Sequence, residues 1–267
     1  MENNDEVYQY YESYNENERI ERYPIEFIRS KEIISRYLPS MPIKIADLCG
    51  ASGHYAYWLA GKSHEVHLMD LSEKHIRETI ANKEKYNVEL SSIKQGDARS
   101  TDFKNETFDM VLLMGALYHL HEKEDRIKCI KETYRILKQG GVAVFSYISR
   151  YASILDGFTK GLINDPLYLE IMEKDYYTGI HKNIENKTKY FTNAYFHSMK
   201  EIYDELLFSN YNNIIVYGVE GFSTLLDEKE YLNDERKLKI LLEYLKLFEQ
   251  DIEMMGVSHH RLAVCKK

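Results

Sequence analysis

A chain of 267 residues with 44% hydrophobic and 29% charged residues has the make-up of a globular protein, long enough for one large α/β domain or a core with an inserted cap. Only 4 prolines and 13 glycines argue against collagen-like, linker-rich and many-turned β architectures, and a formal charge of −8 disfavours broad binding to a phosphate backbone. Cys49, Cys129 and Cys265 are scattered without paired spacing, which fits a reducing compartment and no disulfide framework.

The first stretch, MENNDEVYQYYESYNENERIERY, is polar and acidic and lacks the positive start and apolar core of a signal peptide. It holds Tyr8, Tyr10, Tyr11 and Tyr14 of the chain's 23 tyrosines. A flat apolar ring with a polar tip suits a half-buried amphipathic helix packed on the domain, and it also suits a pocket wall, for which Tyr11 is a candidate. From residue 43 to 149 short apolar runs alternate with longer amphipathic ones. IKIADL, EVHLMD, SSIKQGD, FDMVLLMG and GVAVFSYIS predict strands. Between them the spacing predicts helices over 54–61, over 72–86 with Ser72 as N-cap, and over 124–137 ending at Gly140-Gly141. This rhythm predicts crossover units and a parallel sheet with a crevice at the carboxyl ends of its strands. The longest nearly apolar run, MVLLMGALYHL, is far short of a membrane span, so a cytoplasmic protein is expected.

Residues 151–195 are helix-like but irregular. After them Ser198 and Glu201 have capping-box spacing and open a helix to about Leu207. NNIIVYGVE predicts a strand, 234–252 an amphipathic helix and SHHRLAVCKK a final strand. The expected architecture is α/β: a doubly wound, mostly parallel seven-stranded sheet with an antiparallel last strand and a helical, aromatic insertion between strands 5 and 6. Residues 1–150 would hold an N-terminal helical cover and the ligand-binding core, 151–197 a substrate-side insertion, and 198–267 the completion of the same domain.

The strand ends hold the chemistry. Asp47 closes the first strand before a run of small residues, Cys49-Gly50-Ala51-Ser52-Gly53, whose backbone can approach a ligand at the start of the next helix. Asp70 closes the second strand, where a carboxylate about 20 residues beyond such a loop can accept ribose hydroxyls. Asp97 ends the third strand beside Ala98, and that carboxylate with the next N–H can read an adenine edge. Met114-Gly115 end the fourth, and Gly115 leaves room for a ligand against the backbone.

In this order the segments ADLCGASGHYA, LMD, GDA, FDMVLLMGALYHL and RILKQGGVAVFS resemble a class I S-adenosylmethionine-dependent methyltransferase. More narrowly, they are similar to the small-molecule methyltransferase domain of quinone-biosynthesis enzymes and bacterial relatives. The resemblance implies S-adenosylmethionine as cofactor and S-adenosylhomocysteine as product. It assigns the methionine part to Asp47, Cys49, Gly50, Ala51 and Gly53, the ribose to Asp70 with Leu71 beside it, the adenine to Asp97 and Ala98, and the pocket edge to Met114 and Gly115. Of the family's three loop glycines only Gly53 remains. Cys49 and Ala51 are small but lack glycine's access to positive φ, so an altered loop geometry and weaker affinity are expected.

Methyl transfer asks mainly for alignment of an acceptor lone pair with the S–CH₃ axis, and for a base where the acceptor carries a proton. His119, just past the fourth strand, is the candidate base, or else caps and packs the following helix. Tyr118 beside it lines a pocket or packs the core. In the insertion, His181, Tyr190, Phe191, Tyr195 and His197 are candidate pocket or lid residues that can offer cation–π contact to a sulfonium; each can equally hold the insertion on the sheet. Glu220 contacts a polar substrate or caps a turn. No metal site is expected, because His119, His121, His259 and His260 lack carboxylate or Cys partners at ligand spacing. GASGH lacks the last glycine of a nucleophile elbow, and a dinucleotide oxidoreductase leaves GDA and LMGALYHL without a reason. The expected activity is methyl transfer to a N, O or C atom of a small molecule by a monomer or homodimer, with no membrane and no nucleic-acid partner. A tRNA base methyltransferase and a non-catalytic cofactor-binding module are the alternatives.

Overall fold

The computed structural model describes residues 24–183 and 190–267, so Tyr11 lies outside the described residues. Helix α1 (Pro24–Ser35) leads into the alternating half: β1 (Lys44–Leu48), α2 (His54–Ala60), β2 (Glu65–Asp70), α3 (Glu73–Tyr86), β3 (Ser92–Gln95), β4 (Phe108–Leu113), α4 (Lys123–Ile136) and β5 (Leu137–Ile148). Then come α5 (Ala152–Thr159), α6 (Pro166–Thr178) and the short strands β6 (Ile180–His181) and β7 (Ala194–Tyr195). The chain closes with α7 (Met199–Phe208), β8 (Asn212–Gly218), α8 (Glu228–Leu232), α9 (Glu235–Phe248) and β9 (His260–Lys266).

Seven strands form one sheet in the order β3-β2-β1-β4-β5-β9-β8, and β9 alone runs against its neighbours. Period-2 alternation divides the core between the two faces. In β4, Val111 and Leu113 join Ile130, Phe145 and Ala263 on one face, while Met110 and Leu112 join Ile33, Leu59 and Val264 on the other. Apolar side chains on both faces are what a parallel sheet covered by helices requires. The capping box is present: Ser198 Oγ accepts from the Glu201 N–H at 3.3 Å and the Glu201 carboxylate accepts from the Ser198 N–H at 2.8 Å.

Two boundaries and the make-up of the insertion differ from expectation. The double glycine does not end a helix. Instead α4 passes straight into β5, and there Gly140 N–H donates to the Lys267 carbonyl (3.1 Å) while Lys267 N–H donates to Gly141 (3.1 Å). Pairing with the C-terminal strand captures a stretch that local signals assign to a turn. Helix α9 stops at Phe248, because Glu249 turns inward to Arg29 (2.5 Å) and Arg36 (2.9 Å) of the first helix region. Finally, the insertion is two helices followed by a two-stranded ladder, in which β6 pairs antiparallel with β7.

Candidate active site

The carboxyl edge of the sheet is built first by the β1–α2 loop. Cys49 N–H and Gly50 N–H both donate to the Met69 carbonyl (2.8 and 3.2 Å), which turns the chain sharply across the end of β2, and Gly53 N–H closes back on Gly50 (2.9 Å). Alternate residues are left-handed: Cys49 at φ 62°, Ala51 at 48° and Gly53 at 84°. Positive φ is thus reached at Cys49 and Ala51 despite their side chains. The conformation that glycine adopts freely is kept with side chains present, at a cost of about 1–2 kcal/mol for each non-glycine residue.

Other side chains bear that strain. Asp70 Oδ2 accepts the Ala51 N–H (2.9 Å), Thr79 Oγ1 donates to the Ala51 carbonyl (2.8 Å) and Asn82 Nδ2 donates to the Ser52 carbonyl (2.9 Å). Thr79 and Asn82, on α3, have no motif signal and were not among the expected residues. At Gly50 a Cβ would stand 2.6 Å from Leu68 Cδ1 and 3.0 Å from Asp47 Oδ2, so a side chain there would force Leu68 to move.

Asp47 is 1% exposed, and neither carboxylate oxygen has a hydrogen-bond partner among the described residues. Burial, reinforced by the charge of Asp70 and only partly offset by the nearby Ala56 amide, which falls short of hydrogen-bond geometry, lifts its pKa to about 7. A buried carboxylate without a partner beside a closely fitted glycine is suited to a ligand that brings a positive charge. Asp70 also accepts from Ser72 N–H (2.8 Å) and stands 3.1 Å from His75 Nδ1. Three of the roughly four acceptor sites of a carboxylate are thereby used. Leu71 is 45% exposed, and its carbonyl accepts from Gln95 Nε2 at 3.0 Å.

Beyond β3, Gly96 N–H donates to the Asp70 carbonyl (2.9 Å), which brings Asp97 to the same edge. Its oxygens are taken by Arg99 (2.6 to 3.1 Å), which reaches on to Asp125 at 2.9 Å. Burial would raise the Asp97 pKa, but Arg99 outweighs it and holds it low. Ala98 is buried in the core. Gly115 faces the loop: a Cβ on it would be 3.4 Å from Cys49 Cβ and from the Cys49 carbonyl oxygen, which joins the end of β4 to the end of β1. Met114 packs half-buried against the β1 side of the core.

Past β4, Tyr118 and His119 meet edge to face at 4.6 Å, and His119 lies parallel to Phe191 of the insertion at 6.0 Å. Burial pushes the His119 pKa down to about 3, against a hydrogen bond that its ring donates to the Asn193 backbone, which favours the cation. The insertion therefore roofs the segment after β4. Its other expected pocket residues face inward. His181, 1% exposed, pairs with Asp175 (2.6 Å), lies 3.3 Å from the Phe191 carbonyl and stacks on Phe196 at 4.9 Å. Tyr190 hydrogen-bonds Asp165. Tyr195 donates to Glu201 (2.6 Å) beneath the Arg126 guanidinium, 3.7 Å from the ring centroid, and His197 is fully buried 3.5 Å from Glu205.

Glu220 tightens the β8–β9 corner, accepting from Ser258 Oγ and His260 N–H at 3.0 Å each and pairing with the His260 ring. Burial alone would raise its pKa; His260 and its amide bring it down to about 2. The fold also brings in Glu26, so Glu26, Glu220 and His260 offer ligand atoms within 4.8 Å of one another, a proximity that sequence spacing does not reveal.

A doubly wound sheet with an antiparallel seventh strand, and strand-end carboxylates around a tight loop at its carboxyl edge, define a class I S-adenosylmethionine-dependent methyltransferase fold. Residues 46–145 match the family model described as "Methyltransferase domain". The chain is similar to an S-adenosylmethionine-dependent methyltransferase from Methanosarcina mazei, with 18% identity over 88% of this chain and 96% of that one and a TM-score of 0.58. One from Mesorhizobium loti shares 15% identity over 90% and 98%, with a TM-score of 0.59. Phosphoethanolamine N-methyltransferase 2 from Haemonchus contortus, in complex with S-adenosyl-L-methionine, shares 16% identity over 88% of this chain and 51% of that one, with a TM-score of 0.55. A search of curated proteins finds no match. Among the described residues no helix is long and apolar enough to cross a membrane.

Proposed function

We propose that the protein transfers the methyl group of S-adenosylmethionine to a N, O or C atom of a small molecule held between the carboxyl edge of the sheet and the insertion 151–197. The observation that supports this most is the buried, partnerless carboxylate of Asp47 at the foot of the left-handed loop, beside Asp70. In this reading the Asp47–Gly53 loop receives the methionine part with its positive charges. Asp70 accepts a ribose hydroxyl through its remaining capacity, Ala98 and Asp97 flank the adenine, and Met114-Gly115 form the edge. Asp97 takes that role as one partner of the Arg99 pair.

When bound, the cofactor supplies an electrophilic methyl on a sulfonium. The chain's own part is orientation and exclusion of water. His119 and Tyr118 stand under the Phe191 roof, where an acceptor would meet that methyl. With its pKa at about 3, His119 is a neutral imidazole in the working pH range, suited to orienting an acceptor hydrogen more than to holding a proton. His181, Tyr195 and His197 then serve by stiffening the insertion, and Glu220 by fixing the β8–β9 corner. A compact roofed edge and a net charge of −8 support a small acceptor over RNA.

The test is methyl transfer from labelled S-adenosylmethionine to pooled small-molecule metabolites and, in parallel, to total RNA. Label in the small-molecule fraction alone is expected. Label in RNA alone would sink the small-molecule reading.

A further inference from the structure

We infer that Thr79 and Asn82 of α3 are positioning residues for the cofactor, holding a glycine-poor loop in the shape that receives it. This rests on the reading of the Asp47–Gly53 loop as the cofactor site. In that loop glycine would enter the left-handed region without cost, whereas Cys49 (φ 62°) and Ala51 (φ 48°) favour negative φ and pull the chain out of it. Some contact must over-determine the strained backbone.

Ala51 is fixed on both sides: its N–H donates to Asp70 Oδ2 (2.9 Å) and its carbonyl accepts Thr79 Oγ1 (2.8 Å). The next carbonyl, of Ser52, accepts Asn82 Nδ2 (2.9 Å). A helical threonine commonly turns its hydroxyl back to its own helix; Thr79, fully buried, sends it to the loop instead. Its methyl packs there too, since a Cβ on Gly53 would come 2.9 Å from Thr79 Cγ2. Tyr57 Oη of α2 donates to the Thr79 carbonyl (2.7 Å), which ties this turn of α3 to the helix that leaves the loop. The hydroxyl of Thr79 and the amide of Asn82 thus do by hydrogen bonding what loop glycines do by conformational freedom. Without them the loop would populate its binding shape less, and apparent affinity falls in proportion to that population.

The experiment titrates S-adenosylhomocysteine into the wild-type chain, Thr79→Val, Thr79→Ser, Asn82→Ala, and Thr79→Val and Asn82→Ala each combined with Ala51→Gly, with thermal unfolding of every variant alongside. Valine keeps the shape of threonine and removes only the hydroxyl. We expect Thr79→Val to lose about ten-fold in affinity, Asn82→Ala about three-fold, and Thr79→Ser little, from the loss of one hydrogen bond in each of the first two. Ala51→Gly restores most of the affinity in both backgrounds, because glycine needs no clamp; a merely structural lesion would not be restored. If Thr79→Val fails to fold, the Asn82→Ala pair makes the same comparison. Wild-type affinity in both single variants, or a loss that Ala51→Gly leaves unchanged, overturns the inference. A folded wild-type protein that does not bind overturns the loop reading beneath it, a result that cannot be confused with the first.

Discussion

Asp47 has an almost fully buried carboxylate without a hydrogen-bond partner among the described residues, and its pKa is lifted from 3.8 to about 7. Between those two values the folded protein keeps a proton that the unfolded chain has released, so stability falls as pH rises through that window. The whole separation corresponds to about 4 kcal/mol at most. Asp47→Asn removes the charge and leaves the shape. Chemical denaturation of the ligand-free protein is expected to find Asp47→Asn more stable than wild type at pH 8 and equal to it near pH 4. The same variant is expected to bind S-adenosylmethionine about ten-fold more weakly, for loss of a charged partner. Higher stability with lower affinity is the signature of a residue kept for binding at a cost in folding. Equal stability at pH 8 would mean that Asp47 is already satisfied. The identity of this residue was legible, because an aspartate closing an apolar strand before small residues stands out. Its lack of a partner was not, because that depends on which groups the fold leaves out.

Helix α7 was legible to the residue at its start. Ser198 and Glu201 act as a capping box, and Glu201 also takes the Arg150 guanidinium (2.5 Å) and the Tyr195 hydroxyl (2.6 Å), so the cap anchors the end of the insertion. Ser198→Ala is expected to cost about 1 kcal/mol in urea unfolding; a change below about 0.3 kcal/mol would mean that Glu201 alone holds the helix start. Strong local chemistry explains why this cap and the Ser72 cap of α3 could be read from spacing. Where a distant partner wins, spacing misleads. The pairing of Gly140 and Gly141 with Lys267 replaces the expected helix end, and Glu249 ends α9 early to reach Arg29 and Arg36. In the loop, the substitutions Cys49 and Ala51 were legible but not their conformation, because Thr79, Asn82 and Asp70 impose it from other elements. The aromatic and imidazole groups of the insertion were legible as a cluster. Nothing in their spacing told that His181 and His197 would be buried, since that follows from Asp175 and Glu205 on neighbouring helices.

At the scale of the molecule, the two halves of the chain are locked by a buried ion pair. Arg126 of α4 donates to Glu205 of α7 (2.8 and 2.9 Å) and to the carbonyls of Leu120 and His121 (2.9 and 2.7 Å), just past His119. With 3% and 2% side-chain exposure, removing one partner strands the other in the interior. Glu205→Ala is expected to cost about 3–5 kcal/mol, read by denaturant unfolding; a loss under about 1 kcal/mol would show that water reaches the pair. That lock sets the segment after β4 against α7, which follows the insertion.

Hydrogen exchange of the backbone amides with and without S-adenosylhomocysteine tests the reading of the left-handed loop as the cofactor site most directly. Protection on binding is expected in peptides covering 47–54 and 70–72, with less at 114–119. Binding accompanied by protection only elsewhere, or no protection in a folded protein, would contradict the placement of the cofactor at this loop.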